Sequence, residues 1–216
     1  MARLFRSILL IFLLLALAAL GYALWPRQAN LRDFDVGAVA HLETGMWHDY
    51  YSHDYKSLAS RLYSLYRDVY RFSPADSTRL AYFAGKAAQV FQPTSSRDEA
   101  QVALPLLVSY YTLLRDRSGE AFDPDKAAQL ELNWWQLRRE HVSPKEYGEV
   151  VAQVAEELFK VHNEHIEKSA QLRAEMMRYR DDRRDGGMQA DDWTHIEKNL
   201  TESYSELKTG VRRNPQ

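Results

Sequence analysis

Residues 7–25, SILLIFLLLALAALGYALW, carry no charged side chain and no polar face. At a rise of about 1.5 Å per residue such a run spans about 28 Å, close to the ~30 Å hydrocarbon core of a bilayer. Arg3 and Arg6 precede it, and Trp25 closes it where an interfacial aromatic ring is favoured. The pattern predicts a transmembrane helix. A cleaved signal peptide has a shorter apolar run and a small-x-small site behind it. Here Ala16 and Ala18 lie inside the run and GYALWPRQA offers no such site, so an uncleaved anchor is expected. Residues 1–6 then stay cytoplasmic with their arginines, and the chain beyond the anchor faces away from the cytoplasm, in the periplasm of a Gram-negative cell.

After a polar connector at 26–34, apolar positions recur at helical spacing. Helix starts are well marked. Ser73-Pro74, Asp123-Pro124 and Ser143-Pro144 each place an oxygen acceptor at the N-cap and a proline at the first helical position, where its missing N–H costs nothing. Ser96/Glu99 and Ser143/Glu146 match the capping box. QPTS, RSGEAF, EHVSP and DGGMQA mark the breaks. The spacing predicts helices over 36–71, 74–91, 96–117, 124–141, 144–183 and 191–211, with a kink at Pro105. No segment alternates as a strand does.

The expected fold is all-α: a transmembrane helix, then an antiparallel helical bundle over 35–165, continuous with a C-terminal helical hairpin over 166–216. The hairpin carries a thin seam of Leu172, Met176 and Tyr179 against Trp193, Ile196 and Leu200. It either projects as a partner surface or packs back on the bundle.

The absence of cysteine excludes disulfides, zinc–thiolate sites, iron–sulfur clusters and a cysteine nucleophile. Of the 28 Lys and Arg, Arg3 and Arg6 lie before the apolar run, whereas all 30 Asp and Glu lie after it. That net acidic remainder is not the footprint of a nucleic-acid binder. The sequence has no glycine-rich phosphate loop, dinucleotide fingerprint, GxSxG or HExxH.

Two groups of residues carry candidate chemistry. In ELNWWQLRRE, Glu131, Trp135 and Arg138 share one helical face, with Trp134 beside them. A carboxylate among indoles needs a cationic partner, either Arg138 or one from another helix, and an arginine stacks readily on tryptophan. The cluster suits a small anionic or planar ligand, or a structural charge cluster fixing helix register. In HNEHIEK, His162 and His165 lie one turn apart. On an unbroken 144–183 helix, His165 falls at the centre and His162 at the edge of the apolar stripe formed by Tyr147, Val151, Val154, Leu158, Leu172 and Met176, while Glu164 and Glu167 point elsewhere. A metal centre needs three or four convergent ligands. Hairpin pairing leaves Glu131 roughly 12–16 Å from the histidines. The Glu-x-x-His pairs of di-iron bundles are missing, because Phe159 and His162 stand three positions before the two histidines. A hydrogen-bonded histidine pair is the expected reading and metal binding the alternative. In HLETGMWHDYYSHDY, Glu43 and Asp54 fall at one rim of an aromatic stripe and His41 and His48 at the other.

These observations predict a membrane-anchored, extracytoplasmic, non-enzymatic protein with an interaction or accessory role and no cofactor. It would be held to the membrane by residues 7–25 and meet a protein partner through the C-terminal hairpin. The alternative is a ligand- or metal-binding helical protein using the Glu131–Arg138 cluster or His162 and His165.

Overall fold

The computed structural model describes residues 2–25 and 27–212. The first residue of the expected cytoplasmic segment, Pro26 of the connector and the last four residues of the expected hairpin lie outside them. Helix α1 (Ala2–Leu24) contains the apolar span Phe5–Leu24, whose mean hydropathy is 2.6 and which no other part of the chain buries. It is long and apolar enough to cross a membrane.

The rest is helical, with no strand among the described residues. Helices α2 (Val36–Tyr51), α3 (Tyr55–Ser64), α4 (Pro74–Phe91), the single turn α5 (Arg97–Ala100), α6 (Leu104–Ser118), α7 (Pro124–Arg139), α8 (Pro144–Phe159), α9 (Glu164–Arg183) and α10 (Ala190–Gly210) follow in order. A π-helical turn, Leu65–Val69, extends α3. Each long helix from α2 onward packs on the next, α4 on α6 across the short α5, and α10 returns against α2. The result is a closed ring of helices, an antiparallel bundle whose middle is filled by long side chains rather than by another helix.

The caps form as expected. Ser73, Ser96, Asp123 and Ser143 each accept a backbone N–H of the first turn, an interaction worth about 1 kcal/mol apiece. The Ser143/Glu146 box closes in both directions. At Ser96 it does not: the Glu99 carboxylate takes the N–H of Ser95 instead. Pro105 does not kink a continuous helix. A 3-10 turn, Gln101–Ala103, precedes it, and Pro105 sits in the first turn of α6, where it breaks no hydrogen bond.

Two expected helices are broken. The 36–71 helix divides at 52–54, and the 144–183 helix folds back at 160–163 so that α8 and α9 form a hairpin. Its antiparallel pairing sets the Tyr147 hydroxyl on the Ala174 carbonyl, and Gly148 so close to α9 that a Cβ there would meet Ala174 Cβ at 3.2 Å. Each break uses a basic residue in the left-handed region followed by an Asx N-cap: His53 (φ 58) before Asp54, and Lys160 (φ 51) before Asn163. Neither carries the glycine or proline that signals a stop, and the apolar period continues across both.

The C-terminal hairpin, α9 and α10, packs back into the ring. Met176, Ile196 and Leu200 of its seam are buried with Ala40 of α2. Residues 182–187 at its tip are all exposed.

Candidate functional site

Helix α7, capped by Asp123 and started by Pro124, directs Glu131, Trp134, Trp135 and Arg138 toward the middle of the ring. All four line one cleft of about 230 Å³, floored by Leu58 and Leu62 of α3, Phe91 of α4 and Met177 of α9. Of the four, Glu131 and Trp135 hydrogen-bond to each other, but Glu131 does not take Arg138, one of its two expected kinds of cationic partner. Glu131 accepts from Tyr111 Oη (3.0 Å) and from Trp135 Nε1 (2.9 Å), and makes no ion pair with Arg138. Arg138 is bidentate to Asp181 of α9, at 3.0 and 2.8 Å, and also meets the Tyr51 hydroxyl. Burial works against its charge, but Tyr51 and Asp181 outweigh that and hold its pKa above the ordinary value. The cation nearest in effect to Glu131 is Arg173 of α9, whose guanidinium lies 5.4 Å from the centre of the Trp134 ring. Trp134 is only 6% exposed.

The centre of this site is a residue the helical wheel placed at a rim. Glu43 of α2 is 3% exposed and receives Arg173 (Nε 2.7 Å), Trp47 Nε1 (3.2 Å) and the Tyr204 hydroxyl of α10. Burial opposes the Arg173 charge too, but Glu43 and Tyr204 overcome it, with Glu131 adding support, and its pKa is raised. Burial lifts the interior phenols, Tyr110 to about 12 and Tyr66, Tyr111 and Tyr204 well above the usual range, so they stay neutral, and the last three donate hydrogen bonds. One signal for Glu43 was present. Glu43-x-x-x-Trp47 repeats Glu131-x-x-x-Trp135, and in both the indole N–H bonds the carboxylate one turn back. Arg173, Tyr111, Asp181 and Tyr204 had none, because each is brought in by another helix.

A second cavity, of about 240 Å³, lies on the other side of Glu131, Trp134 and Arg173, which line both. Around the first cleft the charges balance. Glu43, Glu131 and Asp181 stand against Arg138, Arg173 and Arg180, the last at 3.1 Å from Asp181. Such walls orient a molecule by hydrogen bonding and stacking rather than by net charge.

The histidines are not an inward pair. His162 falls in the break between α8 and α9, with its side chain 72% exposed, and His165 is half-exposed. Each has its own carboxylate: His162 Nδ1 lies 2.5 Å from Glu156 Oε1, and His165 Nδ1 lies 2.6 Å from Glu206 Oε2. His162 Nε2 also lies 3.5 Å from Glu167, a carboxylate the unbroken helix directed elsewhere. Glu156, His162 and Glu167 form the one group of potential metal ligands that converge among the described residues. One His162 nitrogen and one oxygen of each carboxylate lie within 4.8 Å of one another, a set of three at an exposed surface where water competes for the ion. The hydrogen bond that His162 donates to Glu156 raises its pKa, which favours the protonated ring over a ligating one. Glu131 and His165 have separate partners and share no centre.

No family profile, no curated protein and no solved structure matches this chain.

Proposed function

We propose that the chain is a non-enzymatic, membrane-anchored accessory protein that holds a small planar, uncharged molecule in the cleft between α2, α3, α4, α7 and α9. The observation that carries this reading is that Glu131, Trp134, Trp135 and Arg138 line one cleft together. Its indole faces suit a flat ring. Its balanced charges give an anion no advantage to offset the loss of its hydration. A dry cavity of about 150 Å³ holds a benzene ring, so a cleft of about 230 Å³ suits a two-ring molecule. In this proposal α1 crosses the membrane with residues 1–6 on the cytoplasmic side, and the helical ring stands on the opposite face. A protein partner would meet the exposed tip of the α9–α10 hairpin, since α2 and α8 occupy its inner faces.

The test uses the full chain in detergent micelles, read by the indole N–H resonances. 2-Acetylnaphthalene should shift the Trp134 and Trp135 signals, and 2-naphthoate, of the same size but anionic, should not. Trp135→Ala should weaken the neutral probe by about tenfold. If neither probe moves those signals, the cleft is structural and the ligand reading fails.

A further inference from the structure

Where α1 leaves its apolar span, two arginines close on one phenol. Arg67, on the π-turn after α3, donates from Nη2 to the Tyr22 hydroxyl at 2.7 Å and from Nη1 to the Phe72 carbonyl at 3.2 Å. Arg27 lies 4.8 Å from the centre of the same Tyr22 ring. Tyr22 is two residues short of the end of the span at Leu24, which at about 1.5 Å per residue places it about 3 Å below that end. A bilayer crossed by α1 therefore brings its headgroup layer to the level of the Arg67 guanidinium, although Arg67 is 45 residues away in the chain.

The connector is fastened to the same place. Ala29 N–H bonds the Arg117 carbonyl at 2.9 Å, and Asn30 N–H bonds the Tyr70 carbonyl at 3.2 Å. Arg71 follows directly, exposed and in the left-handed region at φ 67, which turns the chain back toward α4. Helix α4 is the ring helix that packs on α1. Among the described residues Arg27, Arg67 and Arg71 meet no carboxylate at ion-pair distance. Elsewhere the surface arginines are mostly paired, as Arg97 is with Glu140 and Arg183 with Asp192. The buried carboxylate nearby, Asp76, is already shared by Arg79 and Arg117. Arg27 and Arg67 thus lie uncompensated at the depth where lipid phosphates lie, and Arg71 follows the Tyr70 carbonyl that holds the connector there.

We propose that Arg27, Arg67 and Arg71 form a headgroup site for anionic phospholipid at the emergent end of α1, which seats the helical ring against the bilayer. The inference rests on α1 crossing the membrane. A guanidinium matches the oxygens of a phosphate ester two at a time. A zwitterionic headgroup brings its own ammonium to the phosphate, whereas a net-negative one leaves its charge for the arginines. Each basic residue near an anionic surface is worth roughly a fivefold preference.

The full chain is reconstituted into nanodiscs holding equal phosphatidylglycerol and phosphatidylcholine, released with its adhering lipids in a mass spectrometer, and the lipids are counted. The wild type should retain phosphatidylglycerol over phosphatidylcholine severalfold. Arg27→Gln/Arg71→Gln should cut that preference by about an order of magnitude. It leaves the Arg67 bonds to Tyr22 and Phe72 in place, and an unchanged thermal melt certifies the fold. Arg3→Gln/Arg6→Gln, at the other end of α1, should leave the preference as it was. Equal retention of both lipids by the wild type overturns the proposal. So does a preference that survives Arg27→Gln/Arg71→Gln, or one that vanishes with Arg3 and Arg6 instead. A chain that never enters the nanodiscs overturns the membrane-spanning reading, and this site with it.

Discussion

Glu43 on α2 and Arg173 on α9, 130 residues apart in the chain, form a buried ion pair across the middle of the helical ring, with Arg173 Nε and Nη2 at 2.7 and 2.5 Å from one carboxylate oxygen. Trp47 and Tyr204 complete the hydrogen bonding of Glu43, and the Trp134 ring lies beside the Arg173 guanidinium. Two helices that do not otherwise pack closely are tied through this contact, and Arg173 lines both interior cavities.

Removing one partner strands a buried charge. Arg173→Met should therefore lower the stability of the full chain by about 3–5 kcal/mol. Glu43→Gln/Arg173→Met removes both charges together and should recover most of that loss. Urea denaturation in micelles, followed by the helical circular dichroism signal, measures both. A double variant as unstable as Arg173→Met would refute the pairing as the reason.

The carboxylate of Glu157 on α8 offers a pH test. Burial would raise its pKa, but hydrogen bonds from Lys160, the Asp123 N–H and Lys126 overcome burial and draw it from 4.5 to about 2. Because the folded value is the lower one, ionised Glu157 stabilises the fold fully above pH 4.5, and this contribution is lost as the pH falls through about 2. Lys126 and Lys160 are half-exposed or more, so screening limits the effect to about 1–2 kcal/mol. The urea midpoint of Glu157→Gln should be lower at neutral pH and flatter over that window than the wild type's. Parallel profiles would show that Glu157 is not the responsible group.

His141, at φ 58, ends α7 in the left-handed region, where a side chain costs roughly 1–2 kcal/mol and a β-branched one more. His141→Gly should leave the melting temperature unchanged or raise it, and His141→Val should lower it. Its carbonyl accepts from Arg178 in either case, so the comparison isolates the backbone. A valine variant as stable as the glycine variant would contradict the conformation.

Glu156, His162 and Glu167 lie within 4.8 Å of one another at the surface. With one imidazole nitrogen available per ion, the group should bind zinc only weakly. Elemental analysis of protein purified without chelators should give far less than one ion per chain, unchanged in His162→Ala/His165→Ala. One tightly held ion per chain, lost in that double variant, would establish a metal centre the geometry does not favour.

Local chemistry in the sequence determined much of this protein. A long uninterrupted apolar run, serine and aspartate caps with proline behind them, and a period near 3.6 are properties of neighbouring residues, and they specified α1, the all-helical class and the starts of α4, α7 and α8 before any packing was known. The candidate cleft was half legible for the same reason: Glu131, Trp134, Trp135 and Arg138 share a face of one helix. What only the tertiary structure decided was where that face finds its partners. Asp181 and Arg173 reach it because α8 and α9 fold back on each other at Lys160, a residue whose left-handed backbone carries no sequence mark. That single turn moved His162 to the surface, and ring closure by α10 brought Tyr204 to Glu43. Contacts between distant segments depend on turn directions summed along the chain, and helical periodicity reports each helix's own face, not which helix will cover it.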